Sequence, residues 1–247
     1  MRHDRARTYG RIAAEVIALW VLIAGAIAGI GKLIMTTGNG NGNLLGDHTI
    51  PHWFAAQRTA TRNDWSAIAS NLGGTVDILI VSAVACVVCF ALTRRWRPVI
   101  FLVVVMLGEL AEFLAVEIIV KRPRPDVTHL DSKLPTSAFP SGHMAATICL
   151  YVGIAILVIG HARGWWRYLF LIPAIVMPVI VAIARMYRGE HHPTDILASM
   201  LFAALWLTVT MILIKPNQDG LDRTGRRPLG LSRRKAADQP GTLPATR

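Results

Sequence analysis

Residues 139–160 read FPSGHMAATICLYVGIAILVIG, a Pro-Ser-Gly-His step at the head of a long apolar run. A helix needs roughly 20 such residues to cross a hydrocarbon core of ~30 Å, and 142–160 is long enough. Further runs of this kind lie at 12–35, 75–93, 99–120, 168–184 and 195–214. Lipid offers no partner to an open backbone amide or carbonyl, so each run is expected to be helical. The fifth is the shortest. The expected fold is all-α: a six-span transmembrane helical bundle forming one domain over 12–214, flanked by a basic N-terminus (1–11) and a basic tail (215–247).

Composition agrees. Of 247 residues 53% are hydrophobic, and the mean hydropathy is +0.45. A soluble domain would instead show short amphipathic patterns broken by polar loops. The net charge of +11 does not point to nucleic acid, because the basic residues form no single stripe. They gather between the apolar runs. Arg2, Arg5, Arg7, Arg11, Arg94, Arg95, Arg97, Arg163, Arg167 and the tail from Lys215 hold 17 of the 26 lysines and arginines. That excess marks the cytoplasmic side of a cell membrane and places both termini there. The first apolar run exceeds the ~7–15-residue core of a signal peptide and has no convincing cleavage site, so it reads as a retained anchor. Cys86, Cys89 and Cys149 lie inside apolar runs and read as small fillers.

The first outer loop, about 36–74, opens with a flexible Gly/Asn stretch, TTGNGNGNLLGD, and continues with Trp53, Phe54, Trp65 and Ile68 among polar residues. A short helix on the outer membrane surface fits this pattern, and packing over the spans fits it equally. The tail, rich in Arg, Pro and Gly, reads as disordered and suited to anionic lipid. Gly25 and Gly29 make a GxxxG pattern compatible with helix packing or a homodimer.

The outer side should be poor in cations, yet Lys121, Arg122, Arg124, Arg185 and Arg188 cluster beside spans three to six. Charge kept against the topological preference points to work that needs it. The first four amides of a helix lack intrahelical partners, and the helix dipole adds partial positive charge there. The PSGH step is therefore a ready anion site. Ser141 is placed as its N-cap, Gly142 permits close approach, and His143 lies in the first turn. In ARMYRGEHHPTD (184–195), Pro193 marks another helix start, with His191 and Asp195 four residues apart. Asp195 either orients His191 as a nucleophile or base, or serves only as a helix cap. Arg124 and Arg185 offer planar forks for phosphoryl oxygens. Such a set suits phosphoryl transfer, which depends on positioning and charge stabilisation. Glu109 and Glu112 lie within the third span, where a carboxylate is costly, and are expected to pair with polar groups inside the bundle.

On these residues the chain resembles the type 2 phosphatidic acid phosphatase superfamily, the lipid phosphate phosphatases, which share their core with vanadium haloperoxidases. The family pattern is K-x6-R-P, P-S-G-H and S-R-x5-H-x3-D. It is met by Arg124-Pro125, by Pro140, Ser141, Gly142 and His143, and by Arg185, His191 and Asp195. The resemblance covers roughly 60–214. It implies an extracytoplasmic phosphatase acting on phosphatidic acid, phosphatidylglycerol phosphate or a polyprenyl diphosphate, with neither metal nor cofactor. His191 would form a phosphohistidine, with Asp195 holding its other nitrogen, and His143 would protonate the leaving oxygen. Arg124, Arg185, Ser141 and the Gly142 amide would hold the phosphoryl oxygens. Glu117 stands where the family has lysine and Ala184 where it has serine. Lys121, one turn on, is expected to supply the missing charge. The alternatives are a phosphotransferase using the same histidine and a lipid-phosphate-binding scaffold impaired by Glu117.

Overall fold

The computed structural model describes residues 2–37, 44–132 and 136–218. The helices are α1 (Arg2–Thr37), α2 (Thr49–Ala56), α3 (Ala60–Asn71), α4 (Thr75–Thr93), α5 (Trp96–Val120), α6 (Gly142–His161), α7 (Leu171–Tyr187) and α8 (Pro193–Ile214). A 3-10 segment, Trp165–Phe170, leads into α7. No strand occurs among the described residues. Six helices, α1 and α4 to α8, are long and apolar enough to cross a membrane, with α7 extended by its 3-10 turn. The protein is a multi-pass membrane protein. The six runs coincide with these helices to within a few residues, except that α1 begins earlier. The fifth continues past 184 to Tyr187 because Arg185 is buried and paired inside the protein, where its charge does not meet lipid.

α5, α6 and α8 form the centre, with α1 against α5 and α8, α4 against α5 and α6, and α7 against α6. Phe101, Leu102, Val105, Leu150, Phe202 and Trp206 fill the space between them. Lipid tails are as apolar as leucine, so helices associate here through close contact and interhelical hydrogen bonds. Gly108 shows both. Its missing side chain makes room for the Trp206 indole, and its carbonyl accepts from Trp20 Nε1 at 2.8 Å. Trp206 Nε1 donates to the Val105 carbonyl at 3.0 Å. Gly108→Ala should therefore force the indole out of place and cost about 1–3 kcal/mol. The thermal midpoint in detergent checks this, and an unchanged midpoint would refute the contact. A Cβ added at Gly25 or Gly29 would meet nothing within 4 Å among the described residues, whereas one added at Gly31 would come within 2.7 Å of the Phe139 and Val120 side chains.

Among the described residues the 36–74 stretch holds two helices rather than one, and α3 packs against α7. Ser66 and Ser70 turn inward towards α7, while Trp65 and Ile68 stay exposed. The 38–43 part of the Gly/Asn stretch, Lys133 and the tail beyond Gln218 fall outside the described residues. Glu109 and Glu112 are buried on α5, but neither oxygen of Glu112 has a hydrogen-bond partner among the described residues. The pairing expected for that carboxyl is not found. α5 ends, and α6 and α8 begin, at one end of the bundle, and the three motif stretches meet there.

Candidate active site

The strip leaving α5 is steered by its first residue. Lys121 adopts the left-handed region (φ 55°), which ends the helix and turns the chain so that Lys121 is exposed and Arg122 is buried. Lys121 therefore does not replace the charge missing at Glu117; the inward cation is Arg122. The Arg122 amide donates to Ser137 Oγ at 2.9 Å and its carbonyl accepts from the Ala138 amide at 2.9 Å, fixing the strip beside the start of α6. Its guanidinium donates to Asp195 Oδ1 (2.5 Å), Thr194 Oγ1 (2.7 Å) and Asp47 Oδ2 (2.6 Å). Asp47, just ahead of α2, also accepts from the Thr194 amide at 3.0 Å and hydroxyl at 2.7 Å.

This network changes the reading of Asp195. Its Oδ2 lies 3.9 Å from His191 Nδ1 and accepts from the His192 amide at 2.7 Å, the cap of α8. His191 Nδ1 instead meets the Ala138 carbonyl at 2.7 Å. A carbonyl only accepts, so Nδ1 carries the proton and Nε2 presents its lone pair. Burial holds the imidazole well below its ordinary pKa; Arg185, Arg124 and His143 add to this, while the Ala138 contact opposes it.

A stability effect follows. In the native protein His191 stays neutral, whereas in the unfolded chain it takes a proton below about pH 6.5. The unfolded state then binds more protons, so stability falls as pH drops through that value. The thermal midpoint should decline between about pH 7.5 and 5, and less steeply in His191→Asn. An identical slope in both proteins would refute the assignment. Asp131 acts in a separate, lower window. Burial opposes its ionisation, but Arg188 and Arg185 outweigh that and hold its carboxyl below the usual range.

At the start of α6, Ser141 is the N-cap residue but makes no side-chain cap bond. Its amide donates to Ser199 Oγ at 2.8 Å, and its own Oγ is buried without a hydrogen-bond partner among the described residues. A Cβ on Gly142 would meet the Phe113 ring at 3.0 Å, so the space left by the missing side chain is already packed. His143 is half-buried in the first turn.

The arginines are held by carboxylates. Arg124 pairs with Glu190 and donates to Thr136 Oγ1 at 3.0 Å. Arg185 donates to Asp131 Oδ2 at 2.7 Å and to Ser70 Oγ at 3.0 Å, so a serine of α3 provides the neighbouring hydroxyl that Ala184 lacks. Arg188 donates to Asp131 Oδ1 at 2.6 Å and to Ser66 Oγ at 2.9 Å. Nε of Arg124 and of Arg185 is buried with no hydrogen-bond partner among the described residues. A cavity of about 280 Å³ opens beside Arg124, lined also by Arg122, His129, Asp131, Thr136 and Glu190.

The cluster that the sequence presents as cationic is thus balanced, with Arg122, Arg124, Arg185 and Arg188 facing Asp47, Asp131, Glu190 and Asp195. Glu190 was visible beside His191 in a stretch already singled out. Asp47 carried no such signal, because 147 positions separate it from Thr194.

Residues 97–219 match the PAP2 superfamily. Phosphatidylglycerophosphatase B of Bacillus subtilis (strain 168) is 29% identical over 55% of this chain and 67% of its own length. Undecaprenyl-diphosphatase BcrC of the same organism is 26% identical over 47% of this chain, which spans only 58% of that protein. An undecaprenyl-diphosphatase of Sulfolobus acidocaldarius is 25% identical over 63% of this chain and 72% of its own length. The fold is similar to that of a transmembrane PAP2-type phosphatidylglycerolphosphate phosphatase from Bacillus subtilis, with a TM-score of 0.63 at 22% identity, over 87% of this chain and 97% of that one. The matched region runs from the head of α5 to beyond the end of α8 and takes in all three motif stretches, and by it the chain belongs to the PAP2 superfamily.

Proposed function

We propose that this protein dephosphorylates a lipid phosphate or diphosphate at the extracytoplasmic end of its bundle, through a phosphohistidine on Nε2 of His191. Its family and its phosphatase-named relatives make it a lipid phosphate hydrolase. The observation that carries the mechanism is the His191 Nδ1 contact with the Ala138 carbonyl at 2.7 Å, which leaves Nε2 as the free lone pair of a buried, neutral ring. Nε2 attacks the terminal phosphorus and its bond to the leaving oxygen breaks, freeing the lipid alcohol from a monophosphate or the lipid monophosphate from a diphosphate. His143 is assigned as the acid that gives the leaving oxygen its proton. Water then cleaves the phosphorus–nitrogen bond and releases phosphate. Arg124, Arg185 and the unpartnered Ser141 hydroxyl hold the phosphoryl oxygens, with the Gly142 amide at the helix start. Asp195 is a positioning residue, acting through the cap of α8 and Arg122 rather than through a bond to His191. The same reading takes 12–214 as the membrane domain, and the excess of lysine and arginine at the opposite end supports a cytoplasmic position for both termini.

The names of the relatives cover a phosphatidylglycerophosphate and an isoprenoid diphosphate, so the substrate proposed here is the class they share, an amphiphile with a terminal phosphoryl group. Phosphate release by the detergent-purified protein from phosphatidic acid and from a long polyprenyl diphosphate, measured separately, tests it. Release from at least one, without an added acceptor, is expected. Release that requires an alcohol acceptor would make the protein a transferase, and no turnover of either lipid would overturn the hydrolase reading.

A further inference from the structure

Asn63, Ser66 and Ser70 follow one another at three and four residues, which puts them on one face of α3. That face meets the end of α7. Asn63 Oδ1 accepts from the Tyr187 hydroxyl at 2.8 Å, Ser66 Oγ from Arg188 Nη1 at 2.9 Å, and Ser70 Oγ from Arg185 Nη1 at 3.0 Å. Just past the helix, a Cβ added at Gly73 would lie 2.8 Å from Thr147 Oγ1 and 3.2 Å from the His143 carbonyl oxygen, so the end of α3 is seated against the first turns of α6. None of these residues falls within 97–219, the part of the chain that matches the family. Arg185 shows what the contact does. Its Nη1 is held by Ser70 and by Asp131 Oδ2 at 2.7 Å, and its Nη2 lies 3.8 Å from Glu190 Oε2. Its Nε is buried with no hydrogen-bond partner among the described residues. Asp131 is shared with Arg188 and its side chain is 23% exposed, whereas Ser70 is buried and carried by a helix. Ser70 is therefore the fixed side of the clamp.

We propose that Ser70 is a positioning residue for the phosphatase reaction, holding Nη1 of Arg185 so that the Nε edge of the guanidinium faces the phosphoryl group. That role rests on the phosphate binding proposed for Arg185 above. A planar fork recognises phosphoryl oxygens only in the right orientation. With the hydroxyl gone, Asp131 alone holds Nη1, and Asp131 also serves Arg188. Ser66 supplies the comparison within the same helix. It too is buried and accepts from an arginine, but Arg188 takes no part in the proposed reaction.

Two measurements on the full chain in detergent test this role: the kinetics of phosphate release from the preferred lipid, and the thermal midpoint with and without inorganic phosphate. Ser70→Ala should raise KM about fivefold or more while kcat changes less than about threefold, since the arginine holds the phosphoryl group both before and during transfer. It should also need about fivefold more inorganic phosphate than the wild type for the same rise in midpoint. Ser70→Cys keeps the volume but is a poor acceptor, so it should behave alike and decides the matter if the alanine variant does not fold. Ser66→Ala should keep KM within about twofold of the wild type. A wild-type KM in a folded Ser70 variant, or the same rise in Ser66→Ala, would overturn the positioning role. Arg185→Gln separates that role from the reaction itself. Turnover lost in Arg185→Gln but unchanged in Ser70→Ala would dismiss Ser70 alone. Normal turnover in Arg185→Gln would remove the arginine from the reaction, and Ser70 with it.

Discussion

His191→Ala is expected to bring phosphate release down to the uncatalysed background, and His143→Ala to lower it about 10²–10⁴-fold. The two losses differ in kind. Without the His191 imidazole no phosphorus–nitrogen bond forms, so every substrate is affected alike. Without His143 the attack still occurs, but the lipid alkoxide leaves unprotonated. The His143→Ala defect should therefore shrink with an aryl phosphate, whose phenolate needs no proton to depart, while His191→Ala stays inactive with both. Phosphate release from the lipid and from an aryl phosphate, measured on the same preparations, separates the cases. Turnover by His191→Ala would sink the phosphohistidine proposal. A defect in His143→Ala that is equal for both substrates would remove His143 as the acid and leave it a phosphate-binding group.

Arg122→Gln is expected to destabilise the protein by about 3–5 kcal/mol, because it leaves Asp47 and Asp195 buried without their shared cation. The effect reaches the active site through one helix start. Asp195 caps α8 at His192, the residue after His191, and Thr194 is held by Asp47. Loss of Arg122 loosens both attachments of that turn. Arg122→Lys should not restore it, since an ammonium lacks the planar fork that spans two carboxylates and a hydroxyl. Asp47→Asn in the Arg122→Gln background should recover part of the loss by removing one uncompensated charge. Thermal unfolding of the four proteins in detergent provides the measurement. A wild-type midpoint for Arg122→Gln would show that the network contributes little. Lys121→Ala, by contrast, should change phosphate release less than threefold, because Lys121 is exposed. A larger loss would restore it as the substitute for the family lysine.

The contrast between Lys121 and Arg122 shows where sequence reading stopped. Both lie in one basic strip, and the turn-spacing rule of a helix favoured Lys121 as the neighbour of Glu117. The helix had ended by then. A left-handed residue rotates the side chains that follow it, so the inward position passed to Arg122. Asp195 shows a related limit. The four-residue spacing to His191 suits a helix, but His191 precedes the first turn of α8, and only the cap lies within reach of Asp195. Carboxylates were the larger omission. Asp131 and Glu190 sit beside the motif residues in sequence, but their pairing with Arg185, Arg188 and Arg124 depends on how residues 121–132 run against the end of α7, where the Leu130 amide donates to the Arg188 carbonyl.

The six membrane-length helices, the end of the bundle where the motif stretches gather, and the family are legible in the residue order alone. Those follow from local physics: apolar runs long enough to span lipid must close their own hydrogen bonds, and helix starts with Ser, Gly, Pro and His write anion sites into short stretches. That the Ala138 carbonyl, not Asp195, sets the proton on His191, and that Asp47 closes a buried ion network with Arg122, emerges only once the chain is folded. Each of these joins groups distant along the chain, and a hydrogen bond or an ion pair depends on position in space, which spacing along a single helix does not encode.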